Sequence, residues 1–169
     1  MFESILLVED EANSRKGLTQ FLQGLDYDVI TATNGKEALD IYKKENPDLV
    51  ISDIRMPEMD GILLLESIKS ETPSAKVILL TAYGSVEDAV KAMKKGAFYY
   101  LTKPVNLEEL EFLVKKAFSS HQLEEENREL KQELFRERYD QGQLIAQSQK
   151  MKELLKTAAL LRPEDASDV

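Results

Sequence analysis

Asp53 closes a run of apolar and β-branched residues, Leu49-Val50-Ile51-Ser52, and Ile54-Arg55-Met56-Pro57 follow it. A carboxylate at the C-terminal tip of a buried strand stands where open α/β sheets place their ligand sites. Glu9 and Asp10 follow a second such run, Ile5-Leu6-Leu7-Val8. Parallel strands would bring all three acids to one sheet edge, where like charges repel and call for a cation or a chemical task. Two acids and a strand-end carboxylate can hold magnesium through oxygen ligands, with waters completing an octahedron. Asp53 could then act as a nucleophile toward phosphorus. Thr81 ends the run Lys76-Val77-Ile78-Leu79-Leu80, Tyr100 lies in Ala97-Phe98-Tyr99-Tyr100-Leu101, and Lys103-Pro104, a candidate cis bond, closes the next loop. Lys103 offers a compact positive charge to phosphoryl oxygens, and the Thr81 hydroxyl offers a hydrogen bond. The set suits phosphoryl transfer by positioning and charge neutralisation.

Taken singly, each residue has an ordinary reading. Asp53 could be a turn residue, Thr81 a β-former, Tyr100 half-buried core and Lys103 a solvated lysine. Their joint occurrence at four strand ends favours the chemical reading. Arg55 and Tyr83 are expected to border the pocket. His121, the single histidine, sits in a charged stretch without a supporting motif and reads as solvated.

The elements that must position these residues are readable over 4–118. Short apolar runs at 4–8, 28–32, 48–52, 76–81 and 97–101 alternate with amphipathic stretches. Leu18, Phe21, Leu22 and Leu25 keep the spacing of one helix face. So do Val86, Ala89, Val90 and Met93, and a third such set is Leu107, Leu110, Val114 and Ala117. Asn34 with Glu37, Ser85 with Asp88, and Asn106 with Glu109 mark helix starts. Gly96, after Lys94-Lys95, reads as a left-handed helix end. Five strands alternating with five helices imply an α/β fold, a doubly wound five-stranded parallel sheet covered on both faces.

In this order, Glu9-Asp10, Asp53-Ile54-Arg55-Met56-Pro57, Thr81-Ala82, Tyr100 and Lys103-Pro104 resemble the receiver domain of two-component response regulators, over residues 4–118. The resemblance implies a flavodoxin/CheY-like fold and a phosphoryl group accepted on Asp53 from a cognate histidine kinase. It implies magnesium on Glu9, Asp10, Asp53 and the backbone carbonyl of Arg55, with Glu9 acting through a water. Lys103 would pair with the phosphoaspartate, and Thr81 and Tyr100 would move together as a switch. The domain would turn over only its own phosphoryl group and is not expected to act as an enzyme on other substrates. A phosphatase of the haloacid-dehalogenase type is the alternative, but it wants Asp-x-Asp, and Arg55 stands at the second acid's position. A dimerisation module with an inactive receiver is a further alternative, which the full acidic set with Thr81 and Lys103 disfavours.

The expected division is a receiver over 1–118, a helical linker over 119–141 and a third segment over 142–169. In the linker, Leu123, Asn127, Leu130 and Leu134 alternate spacings of four and three, as in a parallel two-stranded coil whose Asn fixes register. Glu126 would then face Lys131, and Glu133 would face Arg138, across a homodimer. The stretch Leu144-Ile145-Ala146-Gln147-Ser148-Gln149-Lys150-Met151-Lys152-Glu153-Leu154-Leu155 resembles the opening of the AAA+ domain of nitrogen-regulatory-protein-C-type activators of sigma-54 polymerase. Ala146-Gln147 depart from the usual Ile-Gly, and no Gly-x-x-x-x-Gly-Lys-[Ser/Thr] occurs. The expectation is a regulatory piece that stops short of the ATP site of a longer activator. Across all 169 residues, a net charge of −9 argues against direct gripping of nucleic acid by this chain. The lack of Cys removes thiol and zinc-thiolate chemistry and fits the cytoplasm. No apolar run approaches the roughly 18 residues of a membrane span, so no membrane partner is expected.

Overall fold

A computed structural model describes residues 3–82 and 84–160. Within its last helix, the side chains described are those of 107–119, 123, 126–132 and 149–157. Five strands, β1 (Ser4–Val8), β2 (Asp28–Ala32), β3 (Leu49–Asp53), β4 (Lys76–Thr81) and β5 (Tyr99–Thr102), alternate with α1 (Ala12–Gly24), α2 (Gly35–Glu45), α3 (Gly61–Glu71), α4 (Val86–Lys94) and α5 (Leu107–Leu160). The sheet is wholly parallel, in the order β2-β1-β3-β4-β5. The doubly wound α/β expectation is therefore met. The chain forms two units, residues 1–121 and 122–169.

The sheet is sandwiched because its central strands are apolar on both sides. In β1, Ile5 and Leu7 face the cluster of Leu18 and Leu22 from α1 and Leu110, Leu113 and Val114 from α5. Leu6 and Val8 point the other way, onto Ala38 and Tyr42 of α2 and Leu64, Leu65 and Ile68 of α3. This is the two-residue period of a strand buried on both faces. Each fully buried aliphatic side chain contributes about 1.5–3 kcal/mol. The edge strands β2 and β5 are only partly covered.

All three expected helix caps form. Asn34, Ser85 and Asn106 accept hydrogen bonds from the N–H groups of Glu37 (2.8 Å), Asp88 (3.0 Å) and Glu109 (3.1 Å). Gly96 ends α4 with φ +93°, in the left-handed region. Glu11 and Asp60 also cap α1 and α3, which the spacing rules did not single out.

Three expectations need correction. The strand expected over 97–101 begins at Tyr99, because Ala97 and Phe98 are engaged in the α4 turn and a bond to Val77. The face Val86-Ala89-Val90-Met93 does not pack on the sheet: Val86 is 80% exposed, Val90 and Met93 are also exposed, and the buried α4 residue is Ala92. On α5, Leu107 is exposed while Leu113 takes a core place beside Leu110, Val114 and Ala117. Periodicity identified residues sharing a face but not which face meets the sheet. Tyr83, the side chains of His121, Leu134, Leu144 and Ile145, and residues 161–169 lie outside the described residues.

Candidate functional site

The parallel sheet delivers β1 and β3 to one edge, pairing Val8 with Ser52, so Glu9-Asp10 and Asp53 meet there. Oxygens of Glu9, Asp10 and Asp53 lie within 4.8 Å of one another. Glu9 is fully buried, Asp53 is 8% exposed and Asp10 is open to solvent. Such an all-carboxylate set suits a hard divalent cation.

Lys103 reaches in from the loop after β5. Its ammonium donates to Asp53 Oδ2 at 2.7 Å and to Glu9 Oε2 at 2.6 Å. Burial alone would lower its pKa, but the hydrogen bonds and charges of Asp53 and Glu9 outweigh burial and raise it. The loop is pinned by the Lys103 N–H, which donates to the Thr81 carbonyl at 2.7 Å, and the Lys103–Pro104 bond is cis.

Asp53 is held from the other side by the loop to α3. The Arg55 N–H donates to Asp53 Oδ1 at 3.2 Å. The Gly61 N–H returns to the Ile54 carbonyl at 2.8 Å, and Asp60 caps α3 through the Leu63 N–H at 2.8 Å. Gly61 lies so close beneath the strand tip that a Cβ would collide with the Asp53 carbonyl oxygen and come within 2.9 Å of Ile54 Cα. The Asp53 backbone is thereby seated on a helix N-terminus.

Thr81, buried at the end of β4, lines a cavity of about 180 Å³ with Ile54, Ile62 and Arg55, with Asp88 and Lys91 of α4, and with Lys95 just beyond it. Tyr100 is not at a strand tip. It sits within β5, opposite Leu79, half-buried against the core on the α3 and α4 side. Leu123, Asn127 and Leu130 belong to the second unit, exposed on α5.

Two neighbours were missed from the sequence. The Ser14 hydroxyl donates to Glu9 Oε2 at 2.9 Å. The Arg15 guanidinium donates to the carbonyls of Glu9 and Asp10, at 2.8 and 3.3 Å. The available signal was their place on the first turns of α1, just after the acid pair. Side chains there lean back toward the helix N-terminus and so toward the strand tip.

Comparison with known proteins identifies the family of the chain. The profile of the response regulator receiver domain matches residues 5–115. The chain belongs to this family. The chain is similar to the regulatory protein AtoC of Escherichia coli K12, 38% identical over 163 residues that cover 96% of this chain and 35% of AtoC. Among solved structures, the beryllofluoride-activated NtrC4 receiver domain dimer is 34% identical with a TM-score of 0.67, covering 70% of this chain and 98% of that one. The CheX–CheY–BeF3–Mg2+ complex from Borrelia burgdorferi is 34% identical with a TM-score of 0.65, covering 68% and 88%. The chain spans about a third of the length of the curated relatives it matches. Among the described residues, no helix is long and apolar enough to cross a membrane.

Proposed function

We propose that the receiver takes a phosphoryl group on Asp53 from a cognate histidine kinase in the cytoplasm. The observation that carries this reading is the convergence of Glu9, Asp10 and Asp53 with Lys103 donating to two of the three. An Asp53 oxygen attacks phosphorus, and the P–N bond of the donor phosphohistidine breaks, its electron pair leaving with the imidazole. Magnesium, when bound, would neutralise charge on the transferring oxygens. Asp10, Asp53 and the Arg55 carbonyl would hold it, with Glu9 acting through a water. Lys103 would turn to the new phosphoryl oxygens, and the Thr81 hydroxyl would hydrogen-bond them from the end of β4. The cavity beside Thr81 gives α4 room to shift, and Tyr100 on the neighbouring strand would move with it.

The output side of the proposal rests on likeness to NtrC-type proteins. The receiver would act as a homodimer through Leu123, Asn127, Leu130 and Leu134, controlling an AAA+ domain of a sigma-54 activator that extends beyond residue 142. Exposure of Leu123 and Leu130, 66% and 58% in the single chain, supports a seam that waits for a partner. This segment would not itself bind nucleic acid.

Acetyl phosphate with magnesium tests the chemistry. Intact-mass spectrometry should show one added phosphoryl group on the wild type and none on Asp53→Asn. Equal modification of both proteins would defeat the assignment.

A further inference from the structure

We propose that Ser14 is a positioning residue for phosphoryl capture, acting through Glu9. The inference rests on the phosphoacceptor reading of Asp53. Glu9 is fully buried, and its carboxylate takes three hydrogen bonds. Oε1 accepts from the Glu11 N–H at 3.2 Å; Oε2 accepts from the Ser14 hydroxyl at 2.9 Å and from Lys103 at 2.6 Å. The same ammonium reaches Asp53 Oδ2 at 2.7 Å. In the resting pocket Lys103 is therefore shared between two carboxylates.

A phosphoryl group on Asp53 adds three oxygens that compete for that ammonium. Lys103 follows them by loosening its hold on Glu9. A buried carboxylate oxygen stripped of its donor is costly. Ser14 prevents that outcome, because Oε2 keeps the hydroxyl after the lysine has turned away. The hydroxyl thus makes Lys103 easier to release, and its removal would tie the lysine to Glu9. Capping of α1 is a separate function: the Ser14 backbone N–H, not its side chain, donates to Glu11 Oε2 at 3.2 Å. Ser14→Ala therefore leaves the cap in place and isolates the hydroxyl.

The test compares wild type, Ser14→Ala and Ser14→Thr in two titrations, magnesium alone and then beryllofluoride, a phosphoryl mimic, at saturating magnesium. Calorimetry reads both. For Ser14→Ala, beryllofluoride affinity should fall roughly tenfold, the effect of one hydrogen bond to a charged group, while magnesium affinity is unchanged. Ser14→Thr, which keeps the hydroxyl, should restore wild-type affinity. Equal beryllofluoride binding by wild type and Ser14→Ala would overturn the role of Ser14 and leave the phosphoacceptor reading standing. A matched loss of magnesium and beryllofluoride affinity, or no rescue by threonine, would also overturn it by showing a general structural defect. A wild type that takes up no beryllofluoride would sink the phosphoacceptor reading first, and this inference with it.

Discussion

Replacing Lys103 by methionine should destabilise the receiver in the absence of magnesium and tighten its grip on magnesium. Methionine keeps most of the volume and removes the charge. Glu9 and Asp53 then lose their shared donor, at 2.6 and 2.7 Å, while Asp10 remains close by. Two unit charges 4.8 Å apart interact by about 3.5 kcal/mol at an effective dielectric of roughly 20. Removing one partner of a buried ion pair costs about 3–5 kcal/mol. The Lys103 side chain is 21% exposed and Asp10 faces solvent, so solvent screening brings the cost below that range, to about 2–3 kcal/mol of unfolding free energy. A divalent cation no longer competes with the ammonium at Asp53. Return of about 1.4 kcal/mol of that attraction makes magnesium bind roughly tenfold tighter. At a free magnesium level about a hundredfold above the variant's Kd, mass action adds about 2.7 kcal/mol to the variant and about 1.4 kcal/mol to the wild type, so the variant recovers about half of its deficit.

Urea unfolding followed by far-UV circular dichroism, repeated across magnesium concentrations, reads the stability; calorimetry reads the affinity. A variant that binds magnesium no tighter than wild type would refute competition between Lys103 and the cation. A magnesium-free variant as stable as wild type would show the ion pairs to be energetically idle. The pH dependence has a definite sign. Asp53 and Glu9 raise the Lys103 pKa above its ordinary 10.5. The pairing stabilisation is therefore complete below the ordinary value and lost as pH rises through the raised one. The wild-type advantage over Lys103→Met should hold from neutrality to about pH 10 and shrink only beyond it.

Gly61→Ala should cost about 2–3 kcal/mol by forcing a methyl group against the Asp53 carbonyl, and should weaken magnesium binding with it; wild-type stability in urea would contradict the close approach. Leu64→Ala, in the core, should lose about 2–5 kcal/mol, whereas Val90→Ser on the exposed α4 face should stay within about 0.5 kcal/mol of wild type; equal losses in thermal unfolding would mean that the α4 face is packed. Asn127→Leu should change oligomer state or register by sedimentation and site-specific cross-linking, and unaltered behaviour would remove the coil assignment.

The sheet and the acidic edge were legible because both are local in sequence. Apolar runs of four or five residues end directly in Glu9-Asp10, Asp53 and Thr81, so once the strands are parallel the acids must meet. Caps at Asn34, Ser85 and Asn106 were legible for the same reason, since each bond spans three residues. What escaped depends on how elements face one another. The spacing of Val86, Ala89, Val90 and Met93 fits a core helix, yet α4 turns Ala92 toward the sheet and leaves Val86, Val90 and Met93 exposed. Leu107 and Leu113 exchanged roles on α5 by the same ambiguity. Ser14 and Arg15 carry no motif of their own. They matter because the first turns of α1 lie against the tip of β1, and only the packed structure brings Ser14 onto the Glu9 carboxylate and Arg15 onto the carbonyls of Glu9 and Asp10.

The charge of the pocket links these details. Glu9, Asp10 and Asp53 against the single ammonium of Lys103 leave two net negative charges around one small volume. Arg15 adds a positive charge nearby, but its guanidinium is engaged with backbone carbonyls and does not enter the hydrogen bonds of the acids. On the proposed function, an incoming phosphoryl group would bring further negative charge to the same edge. A divalent cation would cancel the two excess charges before that group arrives, which would make magnesium a condition of capture rather than an accessory to it. Lys103, already placed between Glu9 and Asp53, has only to change partners. The affinity for a phosphoryl mimic should therefore depend on what Glu9 keeps when the lysine leaves, and Ser14 is the donor placed to supply it.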